Sequence, residues 1–385
     1  MSINKIQPSA TVLMNSLAEA KKASGVRVFN LSAGEPKVKT NQIILDSAIK
    51  FINQGEIFYP LTEGLPQLRK LATNWINNNY ACNYQDDECI VVNGGKFGLY
   101  LLLQHLLTSG ELGVSNPEVL IPAPYWVSYP TIVRMFGGKP SILNTSEATN
   151  WKITPADLIA TITKNTKILI LNNGVNPTGV VYAPTELSAI LELANKHGLL
   201  VISDEVYSGL VYDDKPYVSC GSYAQYRNNV IVIQSCSKNF AMTGWRIGFV
   251  FAPTRFIKAI SILISQTTSG VSPISQYAAI AALENAKLIT ANIKSEMQRR
   301  RDVLLTALDR EFNIEFNIKL APPHSALYMF VALDKLGVKS GISSEDFCYR
   351  ALDEANVAIV PGSAFGVDGF VPVYADLIRP EFLLV

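Results

Sequence analysis

The stretch SKNFAMTGWRIGF, residues 237–249, sets Lys238 among Ser, Asn, Phe, Met, Gly and Trp, with Arg246 eight residues further on. A lysine held away from water is costly unless its proton leaves. A lysine amine activated by desolvation or by a neighbouring cation attacks carbonyl carbon. Three sets of polar residues follow short apolar runs: Asn172–Gly179 after KILIL, Asp204 and Tyr207 after LLVIS, and Ser235–Lys238 after VIVIQ. Gly94, Gly95 and Lys96 open the stretch GGKFGLYLLL. A Gly-rich helix start offers free N–H groups and a favourable dipole to an anion.

A lysine, a carboxylate, a donor for a phenolic oxygen and an anion cradle are the parts that pyridoxal phosphate requires of a protein. The sequence holds a candidate for each. Taken singly, several are ordinary: an Asp at a strand end, an Asn-Pro turn and a Gly-Gly helix start are common local chemistry.

The elements that must position these residues read from the pattern. Between about residues 87 and 265, strands ECIVVN, EVLIPAP, KILILNN, LLVISD, VIVIQS and RIGFVFA are separated by helices GKFGLYLLLQHLL, YWVSYPTIVRMFG and PTELSAILELANKHG. Apolar runs of this length, bounded by Gly, Pro and Asn, predict an α/β fold whose mostly parallel sheet is covered by helices on both faces. Ligands on such sheets bind at the carboxyl ends of the strands. From Ile274 a long helical stretch leads to HSALYMFVAL, a helix SSEDFCYRALDEAN and VAIVPG, which reads as a smaller α+β domain. The expected organisation is residues 1–40 as an N-terminal arm and part of the small domain, 41–285 as the large cofactor-binding domain, and 286–385 as the small domain with an atypical, shortened tail.

Composition narrows the chemistry. Net charge is +1 and the basic residues are dispersed, so nucleic acid is a poor partner. Five cysteines, an odd number with no C-x-x-C pair, argue against a disulfide framework or zinc site and for a reducing, cytoplasmic setting. Three histidines leave little room for Ser-His-Asp or His-rich metal chemistry. No strand is followed by G-x-G-x-x-G and no Walker motif occurs, so dinucleotides and P-loop nucleotides are disfavoured. No run long enough to span a membrane is expected.

PSATV, LSAGEP, YPLTEGLPQLR, VVNGGK, APYWVSYP, NPTGVVY, SDEVY, SKNFAMTGWRIGF and PGSAFG stand in one order along residues 5–370. In these motifs the chain resembles the fold-type I, class I/II pyridoxal-phosphate aminotransferases, in particular the bacterial aspartate/prephenate branch. The resemblance implies that Lys238 is the Schiff-base lysine and proton shuttle, and that Ser235, Ser237, Arg246 and the Gly94–Gly95–Lys96 helix start serve the phosphate. Asp204 would pair with the pyridine nitrogen, Tyr207 and Asn176 with the ring oxygen, and Trp126 would stack on the ring. Tyr59 would reach the neighbouring subunit's phosphate, which implies a homodimer with shared active sites. Gly34, Trp126 and Asn176 fall at substrate positions, and Ser9, Thr11 and Lys96 at those for a distal carboxylate. The implied substrates are aspartate, or a related dicarboxylic amino acid, and a 2-oxo acid.

The family places an arginine for the substrate α-carboxylate soon after PGSAFG. Here the chain reads VDGFVPVYADLIRPEFLLV, with Pro372 near that place and Arg379 several residues late. Gly174, Val175 and Ser325 are smaller departures. Two alternatives therefore stand beside aspartate transamination: other pyridoxal-phosphate chemistry at the α-carbon, and a catalytically impaired cofactor binder.

Overall fold

The computed structural model describes residues 6–32, 34–316, 320–338 and 340–374. Its strands in chain order are β1 Phe29–Asn30, β2 Cys89–Val92, β3 Glu118–Ala123, β4 Lys139–Asn144, β5 Thr166–Asn172, β6 Leu200–Asp204, β7 Val230–Ser235, β8 Gly248–Phe251, β9 Tyr328–Ala332, β10 Val357–Ala358 and β11 Phe370–Tyr374. Seven of them form one sheet in the order β2-β8-β7-β6-β5-β3-β4. From β7 to β4 all neighbours are parallel, while β8 runs antiparallel to β7 and β2.

Alternate residues of each strand feed opposite cores. Leu169 and Leu171 of β5 join a cluster with Val201 of β6 and Val230 and Val232 of β7. Ile168 and Ile170 point the other way, with Ile202, Ile231 and Ile233. This two-sided burial explains why the strands are continuous apolar runs rather than alternating ones. A third cluster joins Met14, Ala18 and Val28 to Leu304, Met329, Val331, Leu352, Val371 and Val373. There β1 pairs in parallel with β10, and β9 with β11 in antiparallel register.

The structure adds three details that the pattern did not carry. The edge strand β4 has one fully buried residue among six, so it lacks the apolar run that marks its neighbours. The long helical stretch breaks at Asn285, between helices Pro273–Glu284 and Ala286–Phe316. Asn285 Nδ2 donates to the Ala281 carbonyl at 2.9 Å, a local side-chain bond that competes with helix continuation. The helix expected over YWVSYPTIVRMFG is confined to Ser128–Met135, because the Tyr125 N–H is bonded to the Phe365 carbonyl at 3.0 Å instead.

The carboxyl ends of β5, β6 and β7 deliver Asn172, Asp204 and Ser235 to one edge of the sheet. β8 closes that edge through Gly248, where a Cβ would lie 2.7 Å from the Gln234 carbonyl and 3.0 Å from the Gly95 nitrogen. Gly248→Ala should therefore cost about 1–3 kcal/mol of stability through overpacking. Thermal unfolding of the variant beside the unchanged protein checks this.

Candidate active site

A cavity of about 610 Å³ opens at the sheet edge. It is built outward from Ser235, which caps the short helix Cys236–Asn239 by accepting from the Ser237 N–H at 3.2 Å. The Ser235 and Ser237 hydroxyls bond to each other at 2.9 Å. One residue on, partly buried Lys238 turns its amine into the cavity, where it donates to the Gly34 carbonyl. Desolvation lowers the pKa of this amine to about 8. The Glu35 carboxylate resists that shift, and the Arg246 and Lys96 charges add to it.

Arg246 returns to the same cavity from the far side of the loop, with a left-handed backbone at φ 53°. Its guanidinium donates to the Thr243 carbonyl at 2.9 Å and the Asn93 carbonyl at 3.3 Å. A Cβ on Gly94 would stand 2.5 Å from Arg246 Nη2. Glycine is required there for close approach as well as for its φ of 89°. Gly94 caps the helix Gly95–Thr108. Lys96 in its first turn sits 4.7 Å from the Trp126 ring centroid. Desolvation first, then Arg246, depresses the Lys96 pKa.

Asp204 is buried at the end of β6, and desolvation pushes its carboxyl pKa upward. Two donors hold its charge against that push: the Tyr129 hydroxyl at 2.6 Å and the Val206 N–H at 3.3 Å. Asn172 ties β5 to β6 by donating to the Asp204 carbonyl at 2.8 Å and accepting from the Asn176 N–H at 2.8 Å. Asn176 Oδ1 is buried without a partner among the described residues. Burial raises the Tyr328 phenol pKa to about 12, and the neighbouring Tyr207 and Asn176 side chains oppose that shift.

Most of the expected residues converge. Gly34, Gly95, Lys96, Trp126, Asn176, Asp204, Tyr207, Ser235, Ser237, Lys238 and Arg246 line the cavity, as does Thr11. Ser9 lines an adjoining cavity that shares Lys96, and its hydroxyl meets that of Thr11 at 2.8 Å. Tyr59 does not line either cavity; it is 90 % exposed. Pro372 lines the main cavity, whereas Arg379 lies outside the described residues. The sequence reading did not single out Tyr129, Glu35, Thr243 and Tyr328. The first two stand inside quoted motifs, APYWVSYP and LSAGEP. Thr243 stands between Lys238 and Arg246, and Tyr328 reaches the site from β9.

A protein-family model described as aminotransferase class I and II matches residues 26–375. The chain belongs to that family. Aminotransferases of classes I and II use pyridoxal phosphate and act on amino acids and 2-oxo acids. Aspartate aminotransferase of Geobacillus stearothermophilus is 37% identical over 366 residues, covering 94% of this chain and 91% of the relative. A probable aspartate/prephenate aminotransferase of Rickettsia conorii is 37% identical over 377 residues, covering 96% and 91%. The solved aspartate aminotransferase of Thermus thermophilus with maleate superposes with a TM-score of 0.89 at 31% identity, covering 99% of this chain and 95% of that one.

The residues present fit the family's cofactor. The Arg246 charge depresses the proton affinity of Lys96 and, together with Lys96, that of Lys238, which is the field an anionic group relieves. The orphaned Asn176 Oδ1 marks a further unmet polar position in the same cavity.

The depressed pKa of Lys238 is directly measurable on the apoprotein. Its labelling by acetic anhydride should rise with pH around a midpoint near 8, because only the neutral amine reacts. Glu35→Gln removes the charge that sustains the ammonium, so the midpoint should fall further. A base whose folded pKa lies below its ordinary 10.5 makes stability rise with pH between the two values. Labelling of Lys238 only near the ordinary lysine range would contradict the site's electrostatics.

Proposed function

We propose that this aminotransferase exchanges an amino group between aspartate, or a related dicarboxylic amino acid, and a 2-oxo acid. The observation that carries the reading is the desolvated Lys238 amine in one cavity with buried Asp204 and the Arg246 guanidinium. The names of the similar proteins support aspartate as donor. Pyridoxal phosphate, when bound, supplies an aldehyde that captures amines reversibly and a ring that withdraws electrons from the amine-bearing carbon.

The chain's own residues have separable tasks in this reading. Arg246, Ser235, Ser237 and the Gly94–Gly95 helix start bind the phosphate, since guanidinium and free N–H groups both donate to oxyanions. Asp204, its charge sustained by Tyr129 and Val206, holds a proton on the pyridine nitrogen. Tyr207 and Asn176 orient the ring oxygen, and Trp126 covers a ring face. Lys238, with a pKa of about 8, is poised to take a proton from the substrate carbon and return it. Lys96, with Ser9 and Thr11 nearby, receives a distal carboxylate. The division near residues 40 and 285 into arm, large domain and small domain belongs to the same reading, as does a cytoplasmic setting, supported by five free, buried cysteines.

An impaired homologue is the second reading. Pro372 favours it, because a proline ring in the cavity wall offers no donor to a substrate carboxylate.

Borohydride treatment of the cofactor-loaded protein should fix the label on Lys238, as read by peptide mapping. Label at another lysine rejects the site. Asp204→Asn preserves shape and removes charge. It should lower the rate with L-aspartate by orders of magnitude, in stopped-flow absorbance, while the cofactor still binds.

Tyr59 belongs to an exposed apolar stretch with Ile57, Phe58 and Leu61, of which Phe58 is 75 % exposed. We read this stretch as part of a homodimer interface that brings Tyr59 to the second subunit's site. Sedimentation should show a dimer at micromolar concentration. Tyr59→Phe should weaken cofactor affinity without changing that dimer. A monomer retaining full cofactor would overturn the assignment.

A further inference from the structure

Four residues of the cavity, Asp204, Tyr207, Ser235 and Lys238, each stand beside a polar residue in the chain: Glu205, Ser208, Gln234 and Asn239. These neighbours are buried, and none of them lines the cavity. In β7 the strand itself gives the reason. Successive side chains point to opposite faces, so Ser235 faces the cavity and Gln234 the protein behind it. A polar side chain is costly to bury without a partner, and three of these find one another. Asn239 Nδ2 donates to the Ser208 hydroxyl oxygen at 3.2 Å, and Gln234 Nε2 donates to the same oxygen at 3.2 Å. The Ser208 hydroxyl donates in turn to Gln234 Oε1 at 3.3 Å. Asn239 Oδ1 accepts from the Gly209 N–H at 3.1 Å. Both ends of the Asn239 amide are thus taken by consecutive residues of one turn.

This brace runs beside a contact one residue earlier in each segment. Lys238 Nζ stands 5.9 Å from the centroid of the Tyr207 ring on the cavity side, and Asn239 meets Ser208 behind it. Lys238 belongs to a helix of one turn, Cys236–Asn239. So short a helix is not stable alone, and its ends must be held from outside. Ser235 holds the first end through the Ser237 N–H. Asn239, the last residue, holds the second. Its anchor is firm, because Gly209 is wedged in place. A Cβ there would lie 2.7 Å from Thr290 Cγ2, on the helix Ala286–Phe316, and 3.0 Å from Asn239 Oδ1. Fixing this turn fixes where the Lys238 side chain leaves the backbone.

We propose that Asn239 is a positioning residue for amino transfer: braced by Ser208, Gln234 and Gly209, it aims the Lys238 amine into the cavity. The inference rests on the amino-transfer reading for its effect on rate, whereas the placing of Lys238 is measurable without substrate or cofactor.

The test uses Asn239→Ala, which deletes both amide bonds, and Ser208→Ala, which leaves the bond to Gly209. In the apoprotein, Lys238 labelling by acetic anhydride has its expected midpoint near pH 8. In Asn239→Ala that midpoint should move toward the ordinary 10.5, because a loosened amine regains water. A change that only weakened the fold would lower the melting temperature and leave the midpoint in place. In the cofactor-loaded enzyme with L-aspartate, kcat should fall roughly tenfold to a hundredfold, the cost of a misplaced reacting group, with KM nearly unchanged. Ser208→Ala should show the same changes to a smaller degree, and it decides the matter if Asn239→Ala does not fold. Both variants act through one brace, so the double variant should lose much less than the product of the single losses. An unmoved midpoint, an unchanged kcat in an active enzyme, or fully multiplicative losses in the double variant overturns the proposal. A midpoint that moves, in a protein whose unchanged form does not turn over L-aspartate, sinks amino transfer and upholds the placing of Lys238 by Asn239.

Discussion

The constraint on which the structure depends is the gathering of positive charge around one desolvated amine. Lys238, Lys96 and Arg246 converge on the cavity, and among the described residues none carries a carboxylate salt bridge of its own there. The nearest relief for Lys238 is Glu35, whose Oε2 is already bonded by the Thr243 hydroxyl at 2.9 Å. Repulsion of this kind is tolerated only where the surrounding fold over-determines the geometry. The sheet does so: β5, β6 and β7 are locked in register to their ends, and two apolar clusters grip them from either face. Charge that would scatter on a loop is thereby held at one edge, where a bound oxyanion is stabilised by fields the protein has already assembled.

Asp204 is the complementary case. Burial pushes its carboxyl toward neutrality, whereas the proposed role at a pyridine nitrogen requires the opposite. Tyr129 and Val206 resolve the conflict by donating to its two oxygens. Tyr129 itself stands edge-on to Trp126 with ring centroids 5.4 Å apart. One helix start thus sustains the charge and also supplies the aromatic cover of the cavity. The site is less a set of independent catalytic groups than two opposed charges, each stabilised by a layer behind it.

That layering explains what was legible in the sequence. The front residues stand at the ends of apolar strands or in glycine-marked turns, so local pattern points to them. The layer behind does not announce itself locally. Tyr129 meets Asp204 across 75 residues of chain, and Thr243 meets Glu35 across 208; nothing in the composition of a helix start or a loop encodes such a meeting. The same reasoning covers β4, whose half-exposed position at the sheet edge erases the apolar run that revealed the buried strands. The break at Asn285 was hidden because one asparagine in an alanine-rich stretch is an ordinary surface residue until its side chain takes the Ala281 carbonyl.

The small departures from the family pattern are coupled. A Cβ on Gly174 would lie 2.7 Å from Ser325 Oγ and 3.1 Å from Tyr207 Cβ. Ser325 is fully buried, and its hydroxyl has no partner among the described residues. A side chain at 325 is therefore accommodated because position 174 has none, and the backbone there takes a φ of 79° that favours glycine. Val211 bridges to Ser325, and the His324 N–H reaches the Gly179 carbonyl at 3.1 Å. The segment before Tyr328 is thus packed against both the loop that carries Asn176 and the turn that carries Tyr207. Two changes that look separate in the sequence offset each other in space, and they do so directly behind Asn176 and Tyr207. Pro372, which lines the same cavity, has no such visible counterweight among the described residues.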